Sequence, residues 1–129
     1  MLLVHHTYGR LNWELPGGLA ELAESPIETA IREVKKEASL DVMPVRLTGI
    51  YYEPRHDFGE FIHFVFRCEL ADANQVPRTD GDEVSELQFW PLDALPRPIS
   101  DFTIRRITDA MGYAAALPVK ISERRWLEV

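Results

Sequence analysis

From Glu60 to Leu70 the chain alternates. Ile62, Phe64, Phe66, Cys68 and Leu70 share one parity, and Phe61, His63, Val65, Arg67 and Glu69 share the other. A period of two belongs to a strand with two distinct faces, so this segment is the clearest predicted strand. Shorter apolar runs predict strands at Leu2–His5, Val45–Tyr52, Leu87–Trp90 and Trp126–Val129, with Leu11–Leu15 leading into Gly17 and Gly18. Between them the period changes. Ile27, Ala30, Ile31, Val34 and Ala38 recur at helical spacing and predict a helix over Pro26–Ala38 with one apolar stripe. A second helix starts at the capping residue Ser100 and runs to about Met111. Turns fall at Tyr8-Gly9-Arg10 and Pro91–Leu95, and a loop at Pro77–Asp82. Strands interleaved with two helices predict a mixed α/β layer fold, and 129 residues make one domain, 1–129.

The first helix is specified at its start. Ser25 is an N-cap, Glu28 three residues later completes a capping box, and Pro26 takes the first helical position, where its missing N–H costs nothing. At about 100° per residue, Glu33 and Glu37 lie one turn apart at the edge of the apolar stripe, not on the most exposed face. Two acids four apart repel by a few tenths of a kcal/mol, too little to carry an argument alone. By itself the helix reads as a solvated surface of mixed charge. The tight Gly17-Gly18 turn ahead of it changes that reading.

Composition narrows the function classes. Hydrophobic residues make up 46% and charged residues 27%, ordinary for a globular domain. A net charge of −7 provides no general basic surface for nucleic acid, so an anionic ligand would need a cation or a local cluster of Arg. The single Cys68 excludes an internal disulfide, fits a cytoplasmic location, and reads as an inert thiol in an apolar strand. Met1-Leu2-Leu3-Val4 is too short for a signal sequence, and no apolar run is long enough to span a membrane.

The stretch from Trp13 to Leu40 resembles the box of the Nudix hydrolases. Gly18 opens it, Glu24 follows after five residues, and Arg32-Glu33-Val34 after seven more, with Glu37 and Leu40 in register. Trp13-Glu14-Leu15-Pro16-Gly17 matches the usual lead-in, and the resemblance extends weakly to Leu95. Two positions depart from it. Lys36 stands where the family has the first Glu of a Glu-Glu pair, and Ser39 where it has Gly. A residue after a helix usually turns left-handed. Ser tolerates that at about 1 kcal/mol, unless the turn is rearranged.

The resemblance implies an α+β fold, with a mixed sheet between helices. It also implies a Mg²⁺ (or Mn²⁺) cofactor, which prefers hard oxygen ligands and neutralises phosphate charge. Glu33 and Glu37 are the expected catalytic metal ligands, with Gly17 adding its backbone carbonyl. Glu24 and Arg32 are expected to pair and brace the loop beside Gly18. Of the acidic segment before Leu87, Glu83 is the first choice as metal ligand or general base and Glu86 the second. For each, a solvated acidic loop is the competing reading. Tyr51, Tyr52, Phe58 and Phe61 are candidates to stack a base, half of them being core by strand alternation. Arg55 and His56 are candidates for phosphate or ribose. His5 and His6 alternate on a strand and cannot form a joint metal site.

Lys36 leaves three readings open: fewer metals and slower chemistry, no chemistry, or direct contact with a substrate phosphate. Its ammonium is within reach of Glu33, three residues back. The expected activity is hydrolysis of a phosphoanhydride in a nucleoside diphosphate linked to another group. The alternative is a Nudix-fold ligand-binding or regulatory module. Family members carry a further strand before the segment equivalent to Leu2–Val4, whereas Met1 here sits directly on it. Either the start is trimmed or the sheet lacks a strand. A missing strand would leave an unpaired edge, which predicts a homodimer.

Overall fold

A computed structural model describes residues 1–55, 59–112, 115–116, 118–121 and 123–129, with only the backbone of Arg55. The order is β1 (Leu2–His6), β2 (Trp13–Glu14), α1 (Pro26–Ala38), β3 (Val42–Arg55), β4 (Gly59–Leu70), β5 (Val84–Phe89), β6 (Ile99–Ser100), α2 (Asp101–Met111), β7 (Pro118–Lys120) and β8 (Trp126–Leu127). The strands form two mixed sheets, one ordered β5-β1-β2-β6-β8 and the other β4-β3-β7. β1 pairs antiparallel with β2 and β5, and β2 pairs parallel with β6. In the second sheet β3 pairs antiparallel with β4 and parallel with β7.

Sequence periodicity located the long elements and missed short ones. The β3–β4 ladder runs from Val42↔Leu70 to Arg55↔Gly59, so β3 begins earlier and ends later than its apolar run. β6 and β7 are two and three residues long and carry too little pattern to be predicted. The core is a cluster of Leu3, Trp13, Ile99 and Ile107, with Leu15, Trp90, Ile104 and Leu127 packed around it. Thus α2 lies on the first sheet through Ile107. Its Phe102 meets the edge of Tyr51 on β3 and the ring of His63 on β4.

The α1 capping box forms: Glu28 donates its N–H to Ser25 Oγ (3.2 Å), and Ser25 donates its own to Glu28 Oε1 (3.4 Å). Ser39 is left-handed (φ 57°, ψ 33°) and its N–H reaches Lys35 O, so the turn keeps its shape without glycine. The buried face of α1 differs from the expected stripe. Ala38 is buried and Ala30 and Val34 half-buried, but Ile27 and Ile31 are exposed; the row Thr29, Glu33, Glu37 is buried instead. The physical reason is the 16–24 loop, which covers that row and gives it hydrogen-bond partners.

Between the sheets and α1 lies a cleft of about 700 Å³. Its walls include Gly17 and Gly18 on one side and the apolar Phe64, Phe66 and Leu70 of β4 on another. Cys68 lines it too, half-buried, its thiol pushed up by burial as an inert thiol would be.

Candidate active site

The site is built from three pieces: the glycine turn after β2, the buried row of α1, and the segment entering β5. Glu33 and Glu37 are 6% and 2% exposed. Gly17 donates its N–H to Glu37 Oε1 at 2.9 Å. The Gly17 N–H thus holds one of the two buried acids in place. Gly18 lies so close over Glu33 that a Cβ would stand 2.6 Å from Glu33 Cδ. Only glycine leaves room for the carboxylate.

Arg32 ties the loop to the helix. Its Nε donates to Glu24 Oε2 (2.6 Å), its Nη2 to Glu24 Oε1 and Leu19 O (3.0 Å each), and its Nη1 to Glu33 Oε1 (2.7 Å). Those bonds from Arg32, with another from Thr29, hold the Glu24 carboxyl down at about 2. Glu37 goes the other way. Burial raises it to about 7 against the lowering effect of the Gly17 N–H, with Glu33 and Glu83 adding to the rise.

Lys36 reaches Glu83, not Glu33: its Nζ lies 3.3 Å from Glu83 Oε2, with both side chains about half exposed. That contact, followed by the fields of Glu33 and Glu37, raises the Lys36 pKa. Each acid thus has its own donor: Arg32 for Glu33, Gly17 for Glu37, Lys36 for Glu83. Among the described residues no three acidic, His or Cys side chains converge closely enough to hold a metal ion. The donor set still suits one, since carboxylate oxygens are what magnesium prefers and a buried carboxyl near 7 gains most from a neighbouring cation. Glu86 is exposed opposite His5 in the β1–β5 ladder and, among the described residues, its carboxylate makes no hydrogen bond or ion pair.

The other candidates spread out. Tyr51 is buried and donates to Asp109 Oδ2 (2.5 Å), a core role. Tyr52 donates to Glu60 Oε1 (2.7 Å) across the β3–β4 ladder. Phe61 is half-buried at the wall of the cleft. The Arg55 side chain, His56 and Phe58 lie outside the described residues. His5 packs on Trp13 and His6 on Tyr8, so the two rings have separate partners.

A second charged cluster escaped the sequence reading. Glu14 accepts from Arg106 Nη2 (2.7 Å) and Thr103 Oγ1 (3.1 Å); Glu53 accepts from Arg124 Nε (2.7 Å) and contacts His63 Nε2 (3.0 Å). Arg106 and Arg124 both lie over the Phe102 ring, at 4.1 and 5.0 Å. These pairings join β2, β3, β4, α2 and the tail. Their members are too far apart in sequence for any local signal. Two Glu balance two Arg, so the cluster is read as a brace.

The NUDIX domain family matches residues 1–111. A Bacillus subtilis protein provisionally named an ADP-ribose pyrophosphatase, YjhB, is 31% identical over 104 residues, covering 78% of this chain and 48% of that protein. The zebrafish 8-oxo-dGDP phosphatase NUDT18 is 31% identical over 104 residues, covering 80% and 30%. The chain spans less than half the length of either relative. A solved structure, a MutT NUDIX hydrolase from Burkholderia pseudomallei, superposes with a TM-score of 0.72 at 20% identity, over 85% of this chain and 87% of that one.

Proposed function

The chain belongs to the Nudix family, and from that premise we propose that it is a divalent-cation-dependent pyrophosphohydrolase of nucleoside diphosphates linked to another group. One observation carries the reading. Two carboxylates one helical turn apart, Glu33 and Glu37, are buried under a glycine turn whose Gly18 lies too close to Glu33 for a side chain unless the carboxylate moves. Burying paired acids is costly unless something compensates, and Glu37 has a peptide N–H but, among the described residues, no direct ion pair. Relatives whose names carry nucleotide diphosphate substrates support the substrate class.

In this reading Glu33, Glu37 and Glu83 would draw together to hold Mg²⁺ or Mn²⁺, with the Gly17 carbonyl as a further oxygen donor. When bound, the cation neutralises the phosphates and acidifies a water. Glu83, in contact with Lys36 of α1, would serve as third oxygen donor or as acceptor of the proton from the attacking water. Water attacks one phosphorus, the bridging P–O bond breaks, and the other phosphate departs with the electron pair. Glu24 and Arg32 hold the loop. The protein acts in the cytoplasm, as a homodimer, on small molecules and not on nucleic acid. Among the described residues no helix is long and apolar enough to cross a membrane.

A second reading is favoured by Lys36, whose ammonium already neutralises Glu83. It is a ligand-binding module that keeps the pocket without turnover. A panel of nucleoside diphosphate conjugates, assayed with Mg²⁺ and Mn²⁺ for free phosphorylated products, separates the two. Metal-dependent product release that Glu33→Gln and Glu37→Gln each nearly abolish is the expected result. No product across the panel would turn the assignment to the binding module.

A further inference from the structure

The tip of the β1–β2 hairpin carries an aromatic pair that the reaction as described leaves unused. Tyr8 stacks on His6, with ring centroids 4.6 Å apart and planes inclined by 15°. His6 is half-buried and lines the same cleft as Gly17 and Gly18, while Tyr8 is 54% exposed. Single exposed aromatics are common and need no explanation. This one is backed on one face by a second ring, and the hairpin tip that carries it is tied down at Thr7, Tyr8 and Arg10.

The fixing is specific. Leu11 donates its N–H to Tyr8 O and closes the turn, in which Gly9 is left-handed (φ 62°). Thr7 donates its N–H to Glu83 O (3.0 Å) and its hydroxyl to Asp82 O (2.7 Å), so the residue before Tyr8 is tied to the segment that presents Glu83. On the far side Arg10 lies over the Trp126 ring at 4.9 Å and pairs with Glu128 (3.0 Å). The hairpin tip is thus held between the β5 entry and the C-terminal strand. The fields of Glu37, Glu83, Glu14 and Glu33, after burial, all raise the Tyr8 hydroxyl. Through its stacking on His6 the ring adjoins the cleft that Gly17 and Gly18 line, and through Thr7 it is tied to the segment that carries Glu83.

We propose that Tyr8, backed by His6, is the platform on which the base of a nucleotide stacks while its phosphates lie against the α1 carboxylates. A rigid, exposed π-face with an aromatic backing suits a planar base and discriminates little between bases. A sugar phosphate without a base would gain nothing from it. This inference rests on the hydrolase reading for the placement of the phosphates. It shifts base recognition from the β3–β4 aromatics to the β1–β2 hairpin.

The experiment is equilibrium binding of AMP and of ribose 5-phosphate, both with Mg²⁺, to the parent protein and to Tyr8→Phe, Tyr8→Ala and Tyr8→Leu. The leucine variant keeps apolar bulk at the tip without a π-face, in case alanine loosens the turn. The parent and Tyr8→Phe should bind AMP about tenfold more tightly than ribose 5-phosphate, and that preference should vanish in Tyr8→Ala and Tyr8→Leu. An equal preference in all four proteins, or none in the parent, overturns the platform. Turnover is measured alongside. Hydrolysis without the AMP preference leaves the hydrolase standing and removes the platform. A Tyr8-dependent AMP preference without hydrolysis keeps the platform and removes the hydrolase.

Discussion

At Glu37, burial against the glycine turn raises the carboxyl from 4.5 to about 7. Between those values the folded protein holds a proton that the unfolded chain has released. Its contribution to stability is therefore fully present below about 4.5, falls as pH rises through the window, and is gone above about 7. Glu37→Gln keeps the shape and the acceptor for Gly17 without the charge. We predict that in chelator it matches the parent near pH 4.5 and is the more stable at pH 8, by up to roughly 3 kcal/mol. Thermal denaturation at the two pH values checks this, and an equal difference at both would contradict it. Lys36 is the complementary case. Its pair with Glu83 is half exposed and contributes little to stability. Lys36→Glu changes the site by two charge units and crowds four acids together. Without metal the variant should melt at a lower temperature; with Mg²⁺ it should gain a larger upward shift than the parent, and turnover should rise tenfold or more, about 1.4 kcal/mol. Unchanged Mg²⁺ affinity with a raised KM would instead make Lys36 a phosphate contact.

The elements show which information is local. The capping box, the bounds of α1 and the strand β4 are legible because each is written within about a dozen residues, although burial along β4 changes parity between Val65 and Phe66. The facing of α1 was not, because it is decided by a loop lying on the helix. A hydrophobic count favoured Ile27 and Ile31. Hydrogen bonds from Gly17 and Arg32 turned Glu33 and Glu37 inward instead. The box spacing alone puts Glu33 and Glu37 on one face of the helix. It said nothing of Tyr8 or the Glu14–Arg106 pair, whose partners lie on other elements. The packing of turn on helix is itself testable. In Gly18→Ala the new Cβ would meet only side-chain atoms of Glu33, at 2.6–2.9 Å, so the carboxylate must move and the backbone need not. The variant should stay folded with a melting temperature within a few degrees of the parent, while turnover falls at least tenfold. A loss of turnover matched by global unfolding would mean that the turn holds the fold and not the carboxylate.

Across the whole molecule the two sheets leave β4 at an edge: in the order β4-β3-β7 its outer side has no ladder partner among the described residues. The strand is 12 residues long, and its charges sit toward the ends, at Glu60, Arg67 and Glu69. Its middle presents Ile62 and Phe64, 62% and 43% exposed, at the rim of the cleft that they also line. Edge strands that stay solitary are short, bulged or charged at the centre, and β4 is none of these where it counts. A net charge of −7 opposes association only weakly at physiological salt, where charges more than about 8 Å apart are screened. We therefore predict that the chain self-associates through this edge, pairing β4 with β4 of a second copy about a two-fold axis, which would satisfy both edges at once. Light scattering at micromolar concentration should give a dimer mass, insensitive to added salt because apolar contact and backbone pairing drive it. Ile62→Lys should shift the population to monomer by placing a charge at the centre of the seam, while Ile31→Lys on the exposed face of α1 should leave the dimer intact. A monomeric parent would remove the prediction. A dimer that survives Ile62→Lys and dissociates with Ile31→Lys would place the interface on α1.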